Sequence, residues 1–199
     1  MIINRNSKCL VIVAHPDDET LWAGGLILLN PQAKWIVITI CRKSDTNRAP
    51  KFFKALSKLN ATGFMGDLDD EPEQNPLPIK DVQETITELL PCNNFDLVVT
   101  HSESGEYTRH LRHEETAKAV SDLCHNYEIH TNQFWKFAYE DGRGDYLPKA
   151  IDKADLLIEL NDKIWQKKCN IITEIYGFDK NSFEAKTIPR KEAFWHIKI

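Results

Sequence analysis

Two short stretches of this chain hold side chains able to do chemistry. The first, His15-Pro16-Asp17-Asp18-Glu19, sets one imidazole and three carboxylates directly after the apolar run Val11-Ile12-Val13-Ala14. The second, His110-Leu111-Arg112-His113, holds two imidazoles three residues apart, which on a helix share a face. Buried charge is costly unless it is paired or bound to a metal. Histidine and carboxylate are also the donors of a divalent cation such as zinc and the commonest groups for general acid–base catalysis. Together they ask for a cation, a proton-transfer task, or both.

Positioning these residues requires an alternation of strand and helix. Cys9 to Ala14 reads as a strand buried on both faces, and Asp18 to Leu29 as a helix whose first-turn acids suit its dipole. Gly24-Gly25 in that helix predicts close approach of another segment. Trp35 to Cys41, Thr62 to Met65 and Phe95 to Thr100 read as further strands. Arg48 to Leu59, Asp81 to Leu90 and Arg109 to Tyr127 read as helices. Asp67 to Pro78 is acidic, proline-rich and aperiodic, hence a loop. Gln133 to Tyr139 and Asp155 to Leu160 are expected strands, and Asn161 to Tyr176 a helix. Phe183 to Ile199 shows no period that assigns it. The expected fold is α/β: one domain over residues 1–199, a mostly parallel sheet with helices on both faces. Such sheets bind ligands at the carboxyl ends of their strands, where both histidine clusters fall.

Helix register sharpens the site. Ala117, Val120, Cys124 and Tyr127 form an apolar stripe, and stepping back from Ala117 by four and then three residues gives His113 and His110. Asp18 lies four residues before Trp22, on the inner side of its own helix. A catalytic zinc keeps three protein ligands and one open position, and His15, Asp18 and His113 supply such a set. Asp17 is then free to act as general base, and a protonated His110 can stabilise an oxyanion. Either cluster alone is weak, since helix N-termini favour acids and a lone pair of histidines is commonly structural. Two histidines and a carboxylate also describe non-haem Fe(II) oxygenase sites, but a base adjoining the ligands suits hydrolysis better.

Composition narrows the classes. The net charge of −5 argues against a nucleic-acid footprint, and no run approaches the ~18 apolar residues of a membrane span. Five cysteines without metal or disulfide spacing read as reduced structural thiols, and the expected location is cytoplasmic. Self-association is left open.

Ala14-His15-Pro16-Asp17-Asp18-Glu19 with Gly24-Gly25, and Thr100-His101 with Gly105-Glu106-Tyr107 ahead of His110-x-x-His113, resemble the PIG-L/LmbE-like family of zinc-dependent N-deacetylases. The resemblance covers about the first 125 residues. It implies a Rossmann-like fold and removal of acetyl from N-acetylglucosamine-type glycoconjugates. By resemblance the ligands of Zn2+ (or of another divalent metal such as Fe2+) are His15, Asp18 and His113, the base is Asp17, and His110 is its oxyanion or acid partner. The resemblance further implies Arg48, Asp69 (or Asp70) and Tyr107 as substrate-binding residues. The chain departs from the family at Leu111-Arg112, where a proline and an acid are usual, at Lys51, where a glutamate is usual, and in one extra residue between Tyr107 and His110. The alternatives are an amidase for another acyl group and a non-catalytic, metal-containing glycan-binding domain. Glu19 and His101 are left without an assigned role.

Overall fold

The computed structural model describes residues 3–107 and 110–199. In chain order the elements begin with β1 (Lys8–Val13), α1 (Asp18–Leu29), β2 (Lys34–Cys41), α2 (Arg48–Leu59), β3 (Ala61–Leu68) and α3 (Ile79–Leu89). They continue with β4 (Asn94–Phe95), β5 (Leu97–Thr100), α4 (Leu111–His125), β6 (His130–Thr131), β7 (Phe134–Phe137), β8 (Tyr139–Glu140) and β9 (Lys149–Ala150). The chain closes with β10 (Leu156–Glu159), α5 (Asp162–Asn170), a π-helical turn (Ile171–Tyr176), α6 (Phe183–Thr187) and β11 (Lys191–Ile197).

Seven strands form one sheet in the order β10-β11-β7-β5-β1-β2-β3. β3, β2, β1, β5 and β7 run parallel, while β11 is antiparallel to both β7 and β10. The unbroken apolar run of β1 follows from burial on both faces. Val11 and Val13 join a core with α1, α2 and the π turn, and Leu10 and Ile12 join one with α3 and α4. No helix among the described residues is long and apolar enough to cross a membrane.

Two expectations shift. The unassigned C-terminal segment becomes α6 and β11, a strand inserted into the sheet rather than appended to its edge. Arg109, the expected start of the fourth helix, lies outside the described residues, and α4 is described from Leu111. At its other end α4 stops at His125, and Tyr127 turns outward at φ 60° and is 71% exposed. The stripe that located the histidines therefore consists of Ala117, Val120 and Cys124.

The glycine pair has a specific cause. The fully buried Glu192 of β11 accepts hydrogen bonds from Gly25 N and Leu26 N, both at 2.7 Å, and an ion pair from buried Lys168 at 2.6 Å. A Cβ on Gly25 would overlap Leu160 and come within 2.9 Å of the Glu192 carboxyl carbon, whereas one on Gly24 meets nothing nearer than 3.4 Å. Gly25→Ala is thus expected to cost about 1–3 kcal/mol by overpacking. Gly24→Ala should be neutral or stabilising, since alanine favours the helix by ~1 kcal/mol. Urea denaturation midpoints check both, and equal effects would refute this account.

Candidate active site

The site begins where β1 ends. Between Val13 and α1 the chain reverses at Asp17, whose φ of 117° is unusual for any residue but glycine. Such strain persists only when its surroundings enforce it, and here Glu19 does so. Its carboxylate accepts Asp17 N–H at 3.0 Å, the Thr20 hydroxyl at 2.5 Å and the Tyr176 hydroxyl at 2.8 Å, all in a fully buried position. The turn sends two neighbouring carboxylates apart. Asp17 faces Arg48, with Oδ2 to Nη1 at 3.6 Å, while Asp18 faces the histidines.

There, three donors form a nearly equilateral triangle. His15 Nδ1 lies 3.2 Å from Asp18 Oδ2, His113 Nε2 lies 3.3 Å from the same oxygen, and the two nitrogens are 3.3 Å apart. A tetrahedral cation with bonds of roughly 2.0–2.1 Å needs ligand atoms about 3.3 Å apart. The opposite nitrogens are committed elsewhere: His15 Nε2 to Asp70 Oδ1 at 3.1 Å and His113 Nδ1 to Glu106 Oε2 at 2.7 Å. With protons on those outer nitrogens, two lone pairs and a carboxylate oxygen converge on one point. Such an arrangement is electrostatically favourable only around a proton or a cation, so the residues fit a divalent metal.

His101 approaches the same oxygen, with Nε2 3.6 Å from Asp18 Oδ2, so Asp18, His101 and His113 make a rival set. Burial opposes a charge on His101, and the Glu106 and Asp18 carboxylates outweigh it, moving its pKa to about 9. Yet Ala14 N–H donates to Nε2 at 3.0 Å, and Nδ1 meets Glu106 at 2.9 Å. A lone pair already taken by a backbone donor is neither free for a metal nor available for a proton. The hydrogen-bond geometry therefore keeps His101 neutral and outside the ligand set.

The remaining groups line a cavity of about 250 Å³ that includes Asp17, Arg42, Arg48, Asp70, Tyr107, His110 and Phe183. His110 stacks on His113 with ring centroids 4.5 Å apart, and its Nδ1 is buried without a partner. Burial, then the neighbouring His113 and His15, push its pKa down to about 3. Burial thus opposes the proton that the sequence reading gave His110, and the ring keeps an uncommitted nitrogen. Asp17 is raised well above the usual carboxylate range by burial, then by Asp18, against the pull of Arg48. For Asp18 burial acts in the same direction, but the adjoining His113, His101 and His15 more than offset it and hold the group well below that range. Arg48 also lies over the Phe178 ring at 4.5 Å, and Tyr107 meets Phe183 edge-on at 5.1 Å.

Of the two acids after β3, Asp70 lines this cavity, whereas Asp69 is turned toward Arg112 and its side chain is 44% exposed. Asp70 is also bound by Arg42 at 2.6 Å. Arg112, at the position where an acid is usual, is fully buried. Its guanidinium donates to Asp69 O at 2.5 Å, Asn75 O at 2.9 Å and Glu115 at 2.6 Å. It staples the acidic loop to α4 and supplies no acceptor to His110. Sequence reasoning missed Glu106, Phe178 and Phe183. Only Glu106 left a signal, an acid between the strand-end His101 and the helical His113.

The family model described as "PIG-L: GlcNAc-PI de-N-acetylase" matches residues 10–124. Uncharacterized protein L374 of Acanthamoeba polyphaga mimivirus is 27% identical over 177 residues, covering 82% of this chain and 76% of that protein. Two structures of the deacetylase of teicoplanin biosynthesis, a bog complex and a zinc-inhibited form, each have a TM-score of 0.66. Each covers 96% of this chain and 97% of its own, at 18% and 16% identity. GalB, the 4-carboxy-2-hydroxymuconate hydratase of Pseudomonas putida KT2440, has a TM-score of 0.62 at 15% identity, covering 97% of both chains. A deacetylase and a hydratase thus share this fold, so the fold alone does not select the reaction.

Proposed function

This chain belongs to the PIG-L family, and from that premise we propose that it is a metal-dependent deacetylase that removes an N-acetyl group from an N-acetylglucosamine-type conjugate. The observation that carries the proposal is the strained turn at Asp17, which holds a carboxylate beside the three-donor triangle but out of it. A binding module has no need of that strain. His15, Asp18 and His113 would hold the metal, zinc by the tetrahedral spacing of their donors. When bound, the metal supplies Lewis acidity to the acyl carbonyl and to water.

The chain's own groups do the rest. Asp17 takes a proton from the attacking water as the oxygen–carbon bond forms. His110, neutral, can offer an N–H to the oxygen on which charge develops. Asp17 then returns the proton to the departing nitrogen as the carbon–nitrogen bond breaks, giving acetate and a free amine. Arg48 and Tyr107, with Asp70 taking the place expected of Asp69, border the space for the sugar. The sugar itself is inferred from the family's description. We further read the chain as one catalytic domain and keep the cytoplasmic location, which its five free cysteines support.

The test is acetate release from a panel of N-acetylglucosamine conjugates and non-acetyl amides, before and after chelation and on zinc re-addition. Acetate release that is lost with chelator and restored by zinc is the expected result. Activity confined to non-acetyl amides would move the assignment to another amidase, and no turnover by the zinc-loaded chain would leave a binding domain.

A further inference from the structure

We propose that Glu106 is the positioning residue of the metal centre: it fixes the tautomers of His113 and His101 and so sets how tightly the cation is held. The proposal rests on the three-donor triangle being a cation site, but not on the reaction performed there. Its basis is a carboxylate with no exposed surface, delivered by the loop after β5. One oxygen, Oε2, accepts from His113 Nδ1 at 2.7 Å and from His101 Nδ1 at 2.9 Å. The other, Oε1, accepts Ser102 N–H at 3.1 Å. The two imidazoles lie stacked, centroids 3.9 Å apart and 24° from parallel, like two tines held at one end.

The consequence follows from imidazole chemistry. A neutral ring carries its proton on one nitrogen and its lone pair on the other. His113 can offer Nε2 to a cation only if Nδ1 keeps the proton, and in a fully buried site that proton needs a fixed acceptor. Glu106 is placed to be it. The same contact gives His101 a proton on Nδ1 and leaves its Nε2 to accept Ala14 N–H, so His101 ties the residue before His15 to the partner of His113. A hydrogen-bonded carboxylate also makes a ligating imidazole more basic and limits its rotation. A glutamine cannot replace it. With its oxygen toward the histidines, its NH₂ would face Ser102 N–H, and in the flipped form its NH₂ would donate to both Nδ1 atoms and drive the protons to Nε2.

Zinc affinity by chelator competition, on the full chain, tests this directly. Glu106→Gln is expected to weaken zinc binding by about 10–100-fold without loss of helical content by circular dichroism. Affinity within twofold of the parent would overturn the proposal. Where that variant does not fold, the zinc-loaded parent decides. Long-range 15N–1H correlation of its histidines should show His113 and His101 protonated on Nδ1 and not on Nε2. A proton on Nε2 of either ring would overturn the proposal. If the parent itself binds no zinc, the cation site of the preceding section fails, a result separate from a parent that binds while its Glu106 variant binds equally well.

Discussion

Replacing Asp17 with asparagine is expected to leave the divalent cation bound and to cut turnover by about 10²–10⁴-fold, the usual contribution of a general base. The separation of the two effects follows from the turn. Asp18, one residue on, contacts both His15 and His113, whereas Asp17 is held away from them by its φ of 117° and faces Arg48. Asparagine tolerates positive φ and preserves the N–H that Glu19 accepts. Elemental analysis should therefore show an unchanged metal content beside a collapsed kcat. Full activity would remove Asp17 from the mechanism. The pH profile gives a second reading. A base must be ionised to act, so the rate falls as pH drops through the Asp17 pKa. The guanidinium 3.6 Å away favours the ionised form. Arg48→Met should accordingly move the acid limb of kcat/KM to higher pH, and a shift to lower pH would contradict the placement of the pair.

His113→Ala is expected to abolish stoichiometric metal binding. The substitution removes one corner of a triangle whose sides are 3.2–3.3 Å, and two remaining ligands do not make a structural or catalytic zinc set. It also takes from Glu106 the shorter of its two imidazole contacts, 2.7 Å, in a site with no exposed surface. Leaving a buried carboxylate without one of its hydrogen-bond donors costs about 1–3 kcal/mol, so the metal-free variant should also unfold at lower denaturant than the metal-free parent. His110→Ala is the contrasting case. His110 offers a donor near the same point as His15 and His113, but it stacks on the His113 ring. Its loss should spare the metal and lower the rate. Metal retained by His113→Ala, or lost by His110→Ala, would exchange their roles.

The two halves of the site differ in how much the amino-acid sequence reveals of them. His15 and Asp18 were legible because they are joined by one turn: a buried strand ends, a helix begins, and the four residues between Val13 and Asp18 leave little freedom. His110 and His113 were legible because helical periodicity forces residues three apart onto one face. The fold class was legible for the same local reason, since alternating strand and helix periods permit few arrangements. Even so, the register was less informative at α1 than its pattern suggested. Residues 18–27 of that helix are all buried, so an inner side is not distinguished from an outer one.

What the sequence by itself determined, then, is the grouping of His15, Asp18, His110 and His113 and the sheet edge on which they sit, because both follow from short-range geometry. Only the tertiary structure decided which groups complete the imidazoles and wall the cavity. Asp69 and Asp70 are adjacent in an aperiodic loop, and no period says which one faces His15. Arg112 makes that choice by fastening Asp69 and Asn75 to α4. Glu192 meets Gly25 across 167 positions, and Tyr176 meets Glu19 across 157. Such contacts exist because β11 enters the sheet between β7 and β10 and because the π turn packs against α1. A buried carboxylate's partner is fixed by whichever chain segment closes over it, and that is a property of the packed molecule.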